Sequence, residues 1–223
     1  MIPPPPLPAL TAETTRLAHA LNHITDWHAP TRCTPWDAAA LTAHITGALA
    51  RLDPMLDAPE PPRATVTAAG YYAPDHRFAP DTNTTRIDTA TRAAQAGGPT
   101  LTTAFENTAA RILHRCTSAR PGRRVTTRHG DPMTLDDFLT TRVVETAVHG
   151  IDLADATAQP RWTTPEAQHH IAHLLLGHDH PTALAALGLD PLAFIAKATG
   201  RDDFTAPERA QADALGVTWL TLG

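Results

Sequence analysis

Four polar residues in the run TRVVETAVHGIDLADAT fall at separations that a helix turns into one stripe: Arg142, Glu145, His149 and Asp152 lie three, four and three positions apart. Leu135, Phe138 and Leu139 lie on or beside that stripe one to two turns earlier, so this face is expected to point into the core. Charged groups there need partners, because a buried charge that loses its partner costs about 3–5 kcal/mol. Glu145 and His149 are one helical turn apart and can reach the same point. His44 falls three after Leu41 and four before Ala48, beside the apolar side of an earlier helical segment. If it faces the pair across a bundle, the set is two histidines and one carboxylate. That is the donor set of catalytic zinc sites, in which a fourth position stays open for water or substrate, whereas a structural site fills it with another side chain. Asp152, one turn beyond His149, is placed to orient a ligand histidine or a bound substrate. Arg142 is placed to hold a substrate carboxylate or to neutralise Glu145. The alternative is a buried Arg–Glu–Asp network that only pins the helix.

The elements that must position these residues read as helices. Thr11 can cap a first helix with apolar positions at Leu17, Leu21 and Ile24, ended by Trp27 to Pro30. Thr34 as cap, Pro35 at the first helical position and Asp37 at the third predict the start of a second, with Leu41, Ile45, Ala48, Leu49 and Leu52 buried. Residues 54–85 hold six prolines and the aromatics Tyr71, Tyr72 and Phe78, a long loop expected to act as a lid. A third helix is expected from Thr84 to about Cys116, broken near Gly97-Gly98-Pro99. A short strand over 123–128 and a turn at His129–Pro132 follow. Thr134, with Asp137 three residues on, caps the helix that carries the stripe. Beyond Pro160, Thr164-Pro165-Glu166 starts a histidine-containing helix, and shorter helices are expected around 182–187, 190–199 and 206–214 before an apolar tail, Val217–Leu222. The expected architecture is mostly α: a four-helix bundle over residues 1–160 with a small helical C-terminal extension over 161–223.

Composition narrows the function. The 223 residues suffice for a sizeable core, and 42% hydrophobic with 18% charged residues describe an ordinary soluble globular chain. A net charge of -5 with scattered arginines argues against a nucleic-acid partner. The start MIPPPPLPAL has no basic or apolar leader character, and no apolar run approaches the ~20 residues of a membrane span, so a cytoplasmic location and no membrane partner are expected. Two cysteines, Cys33 and Cys116, do not make a disulfide framework and are expected to remain thiols. Nothing in the sequence speaks to the oligomeric state.

Two motifs together carry a family resemblance. Cys33-Thr-Pro-Trp36 followed by Leu41-x-x-His44, and Arg142-x-x-Glu145-x-x-x-His149-x-x-Asp152-Leu153, resemble the two signatures of the mycothiol-dependent maleylpyruvate isomerase family within the DinB-like metalloenzyme superfamily. The resemblance covers roughly residues 10–156 and implies a DinB-like four-helix bundle with Zn2+ held by His44, Glu145 and His149. Glutamate at 145, where many superfamily relatives carry a third histidine, favours the thiol-dependent branch. Ala198-Thr-Gly-Arg201 is similar to an arginine-bearing segment of the family's extension, which implies a catalytic part for Arg201 beside Arg142 and Asp152. The implied chemistry is that of an isomerase or S-transferase: the metal stabilises the thiolate of mycothiol or another low-molecular-weight thiol, which attacks a small electrophilic substrate. Arg142 or Arg201 would bind an acidic electrophile.

Two rival readings stand beside this one. A zinc hydrolase would activate water with the same three ligands and would need Asp152 as general base. A non-catalytic member would bind a metal or small molecule without turnover. His169 and His173, also four apart, offer a second candidate metal pair, with a solvated polar face as the plainer alternative. Cys33 is a possible nucleophile, with packing behind the bundle mouth as its plainer alternative.

Overall fold

Why the first helix begins where it does is a matter of proline. The computed structural model describes residues 4–73 and 80–220, without the side chains of 80–83. Phe78, a member of the expected lid, and Leu222 of the expected tail lie outside the described residues. Helix α1 (Pro6–Leu21) starts five residues before the expected Thr11 cap, with Pro6 in its first turn. A proline costs little there, because the N–H it lacks would have had no partner. Thr11 sits inside the helix and turns its hydroxyl back to the Leu7 carbonyl at 2.8 Å.

The start of α2 (Ala38–Ala50) also differs from the expectation. Its cap is Asp37, whose carboxylate accepts from the Ala40 N–H at 2.8 Å, and not Thr34. Residues 29–37 form a tight loop instead, closed by Thr31 N–H to Trp36 O at 3.1 Å and Ala38 N–H to Ala29 O at 3.0 Å. The loop presents Cys33 toward the bundle interior.

A short helix α3 (Leu52–Asp57) follows. The next segment is pinned to the start of the stripe helix rather than free as a lid: Thr65 N–H donates to Pro132 O at 2.8 Å and Ala68 N–H to Asp137 Oδ1 at 2.9 Å. Tyr72 is buried, with its hydroxyl on Thr141 O at 3.0 Å, and Tyr71 meets Phe138 edge to face. Burial of these rings against the bundle outweighs any gain from leaving them over a mouth.

The expected third helix is two, α4 (Pro80–Ala94) and α5 (Gly98–Thr117). Gly97 takes φ +81 at the break, and a Cβ on Gly98 would overlap the Trp27 indole. Strands β1 (Arg124–Thr126) and β2 (Pro132–Thr134) pair antiparallel with Val125 opposite Met133, and Thr134 caps α6 (Leu135–Ala156) by accepting from the Asp137 N–H at 3.0 Å. Helices α7 (Pro165–Leu176), α8 (His180–Leu187), α9 (Pro191–Ala198) and α10 (Ala206–Ala214) complete the chain.

Helices α1, α2, α5 and α6 form the bundle, with α4 laid against α2, and with α7 against α1 and α6. Helix α6 is central. Val143, Val144, Ala147, Val148, Ile151 and Leu153 are buried along with the polar stripe, so it is covered on every side rather than on one face. Between Phe138 and Ala154 only Glu145 is partly open. Among the described residues no single helix is long and apolar enough to cross a membrane.

Glu13 ties α1 to the cap of α7. Its Oε2 accepts from the Thr164 N–H at 2.8 Å and the Thr164 hydroxyl at 2.7 Å, while Oε1 has no hydrogen-bond partner among the described residues. Burial raises its pKa above the ordinary glutamate value, against the lowering effect of the Thr164 bonds. A carboxyl that holds its proton more tightly when folded contributes most below the unfolded-state pKa, and that contribution fades as pH rises through the folded-state pKa. Glu13→Gln keeps an acceptor for Thr164 but does not titrate. The stability of the variant relative to the parent is expected to improve steadily from acid to neutral pH in a series of urea unfolding curves; a pH-independent difference would refute the assignment.

Candidate functional site

Three side chains from two helices converge on one point. His44 on α2 and Glu145 on α6 meet with Nε2 to Oε1 at 2.7 Å, and His149 Nε2 stands 3.6 Å from the same Glu145 oxygen. The imidazoles of His44 and His149 are edge to face at 5.4 Å between ring centres. Each residue offers one donor atom, and the three donors lie within 4.8 Å of one another, the size of a mononuclear metal site. Trp36 stacks on the His44 ring at 4.5 Å and fixes its plane.

Charge is arranged around these three in an ordered way. Burial lowers the His44 pKa to about 4, so this imidazole is neutral. Burial would raise Glu145, but hydrogen bonds from both histidines and the charge of Arg142 hold it well below the ordinary range, so it is a carboxylate. Arg142 is 2% exposed. Its Nη2 is 3.9 Å from Glu145 Oε2, its Nη1 donates to Ala48 O at 3.4 Å, and its guanidinium lies over the Phe138 ring at 4.8 Å.

The far nitrogen of His149 is equally controlled. Nδ1 is 2.9 Å from Asp152 Oδ2, and both Asp152 oxygens are gripped by Arg201, with Nε to Oδ1 at 2.9 Å and Nη2 to Oδ2 at 2.7 Å. The Cys33 thiol donates a further bond to Asp152 Oδ2 at 3.3 Å and stands 3.9 Å from His149 Nδ1. Burial raises the Asp152 pKa, but His149 and Arg201 outweigh it and keep the group ionised. Burial depresses His149, while Asp152, Cys33 and Glu145 together push it well above the ordinary histidine value. A carboxylate on the distal nitrogen fixes the tautomer of a ligand histidine and makes Nε2 the better donor.

On its other side His44 borders a cavity of about 440 Å³ between α2, α4 and α5. The cavity exists because the facing residues are small: Ala43 and Gly47 on α2, and Ala90 and Ala93 on α4. A Cβ added to Gly47 would meet nothing within 4 Å. Arg51 and Arg128 also line this space.

The stripe residues share one face of α6 as their spacing predicts, the structure brings His44 on α2 to meet them, and Arg201 reaches them from beyond Pro160. Cys33 departs from the plainer expectation: it sits on Asp152 and beside His149 and not behind the mouth. Its place in the Cys-Thr-Pro-Trp motif, eleven residues before His44, was the available signal. Arg51 gave a signal in its spacing, seven after His44 and four after Gly47, which is one helix face.

The histidines of the C-terminal part do not assemble into a comparable site. His180 Nε2 meets His169 Nδ1 at 3.1 Å, yet among the described residues the groups of three converging ligands are only His44–Glu145–His149 and Cys33–His149–Asp152. Nor is this a fully solvated face, since His170 and His180 are buried and His170 bonds the Thr140 hydroxyl at 3.0 Å. Cys116 is buried in the core, and burial pushes its thiol up to about 11.

Comparison with known proteins gives a consistent picture. The chain is similar in fold to a crystal structure of the mycothiol-dependent maleylpyruvate isomerase, with a TM-score of 0.54 and 16% identity over 77% of this chain and 68% of that one. A histidine-to-alanine mutant of a mycothiol-dependent maleylpyruvate isomerase gives a TM-score of 0.52 at 14% identity with the same coverage. No curated protein matches. The family model described as the mycothiol maleylpyruvate isomerase N-terminal domain matches residues 7–154, a span that holds His44, Glu145, His149 and Asp152, and the chain belongs to that family.

Proposed function

We propose that the protein is a zinc-dependent isomerase or S-transferase that uses a low-molecular-weight thiol, mycothiol in the family's name, on a small electrophilic substrate. The observation that carries this reading is the convergence of His44 Nε2, Glu145 Oε1 and His149 Nε2, with His149 fixed from behind by Asp152. The donor set fits zinc: two imidazoles and one carboxylate, with the second coordination layer already built. Zinc held there supplies a Lewis-acid position at which a thiol's sulfur is stabilised as the thiolate.

The chain's own residues then act as follows. Arg142 keeps Glu145 ionised from inside the core. Arg201 and Cys33 hold Asp152, and Asp152 holds His149. The cavity beside His44 receives the electrophile and limits its water. For an isomerase, thiolate addition to a conjugated double bond leaves a single bond that rotates, and elimination returns the thiolate with the other geometry. For a transferase, the same thiolate displaces a leaving group.

The hydrolase reading loses support from Asp152. Its two oxygens already accept from His149, Cys33 and Arg201, and it is 1% exposed, so it is shielded from the water whose proton a general base would take. The test is a titration of the cobalt-substituted protein with mycothiol. A saturable thiolate-to-metal charge-transfer band is expected; cobalt binding with no band would overturn the thiol reading.

A further inference from the structure

Three imidazoles of the C-terminal extension take no part in the His44–Glu145–His149 site, and two of them already face each other. His169 and His173 are one turn apart on α7 and share a face, while His170 turns to α6 and the Thr140 hydroxyl. The chain then reverses at Gly177, where φ is +78 and glycine is favoured, and His180 at the start of α8 comes back onto that face. His180 Nε2 stops 3.1 Å from His169 Nδ1. Its ring lies 4.7 Å from that of His169 and 5.9 Å from that of His173, edge to face in both cases.

The tautomer of His180 decides what that contact can be. The Gly177 carbonyl accepts from the His180 backbone N–H at 3.2 Å and from Nδ1 at 3.1 Å, so in the neutral ring the lone pair is on Nε2 and points at His169. A ring held from behind by a backbone carbonyl is how proteins present a histidine ligand. A plain hydrogen bond from His169 Nδ1–H would satisfy this lone pair, but it makes no use of His173. A metal ion does. Two imidazole nitrogens held at about 2.0–2.1 Å from one ion lie about 2.9–3.4 Å apart, and the observed 3.1 Å falls in that range. His173 is only partly buried, so a change of its rotamer brings in the third donor. His178 is turned away from the group, with its Nε2 on Asp179 Oδ2 at 3.1 Å.

We propose that His169, His173 and His180 form a second metal site, which takes a divalent ion of the zinc, nickel and copper class and pins α8 to α7. Imidazoles without carboxylate or carbonyl ligands suit these ions and not calcium or magnesium. The group brings no negative charge and must order His173 on binding, so its affinity is lower than that of the site with Glu145. None of its residues touches the first site. It therefore stands or falls independently of the thiol reading.

Equilibrium dialysis of the purified full chain against zinc, and separately against nickel, tests the site at about pH 8, where histidine is neutral. The parent is expected to take two equivalents of zinc, and His44→Ala to lose the tighter one and keep the weaker. His169→Ala, at an exposed position that the fold does not need, and His180→Gln should each weaken the second equivalent by more than about tenfold, since replacing a group that only supports a ligand already costs 10–100-fold. His173→Ala should weaken it as well, whereas His178→Ala should leave it in place. Zinc is also expected to slow amide hydrogen exchange in α8 of the parent and not of His169→Ala. A second equivalent that persists in His169→Ala, His173→Ala or His180→Gln overturns the proposal, as does a parent whose single equivalent disappears with His44→Ala. A single equivalent that survives His44→Ala and is lost in His169→Ala would instead remove the metal from the first site and leave this one standing.

Discussion

Arg142→Ala is expected to destabilise the metal-free protein by about 3–5 kcal/mol, because it removes the fully buried cation beside Glu145 Oε2 and leaves only His149, on the other carboxylate oxygen, to oppose the buried charge. The size follows from burial at both ends of the pair: the Arg142 side chain is 2% exposed and that of Glu145 19%. Lost packing adds to the charge effect, since the guanidinium covers the Phe138 ring. Two further variants separate these terms. Arg142→Met restores most of the volume but still strands the carboxylate, so it should remain strongly destabilised, whereas Arg142→Met with Glu145→Gln should recover most of the loss. Zinc supplies positive charge to the same carboxylate and should reduce the Arg142→Ala penalty when present. Urea unfolding of the parent and the three variants with and without zinc measures these effects; a metal-free penalty below about 1 kcal/mol, or a double variant no better than the single, would show that Arg142 does not serve Glu145.

How much of this was legible in the sequence depended on whether a signal was local. The helix that carries the stripe, its Thr134 cap and the break at Gly97-Gly98 rest on neighbours in the chain and are present as expected. The start of α2 did not, because Thr34 and Asp37 are both capable caps and the choice was made by the backbone bonds that close residues 29–37 into a loop. The start of α1 was misplaced for a related reason: four consecutive prolines look like a tail, yet a proline in the first turn gives up no hydrogen bond. A proline-rich segment with an aromatic cluster suggests a lid, because it carries no periodicity that would show Tyr72 to be core. Its hydroxyl found Thr141 sixty-nine residues away, which no local pattern announces.

The site divides along the same line. Arg142, Glu145, His149 and Asp152 share one helix, and the period of that helix placed them together. His44 required a guess that two helices face each other, and the shared stripe of buried residues made the guess reasonable. Arg201 was reachable only through the family resemblance, since nothing in its own surroundings predicts a bond to Asp152 forty-nine positions earlier. Cys33 and Arg51 depended on tertiary placement: one on how a loop folds back, the other on small residues leaving a space that its guanidinium could line.

Metal affinity is expected to fall in a graded series that follows distance from the metal position. His149→Ala and His44→Ala each remove one of three donors, and the zinc affinity of either should drop by more than about 100-fold, since replacing groups that only support ligands already costs 10–100-fold. Asp152→Asn keeps the shape and an acceptor oxygen for His149, but it loses the charge that makes Nε2 a strong donor, and about 10–100-fold is expected. Arg201→Ala frees Asp152 on one side and should weaken binding less than Asp152→Asn does, because Asp152 Oδ2 still meets His149 at 2.9 Å. Cys33→Ala removes a single thiol donor and should be mildest. Competition against a chromophoric chelator at fixed pH ranks the five variants, and far-ultraviolet circular dichroism confirms that each remains helical. If His44→Ala retained parental affinity, the metal would have to sit instead among Cys33, His149 and Asp152, the other convergent group. In that case Cys33→Ala, not His44→Ala, would head the series, and the order of these two variants decides which group holds the ion.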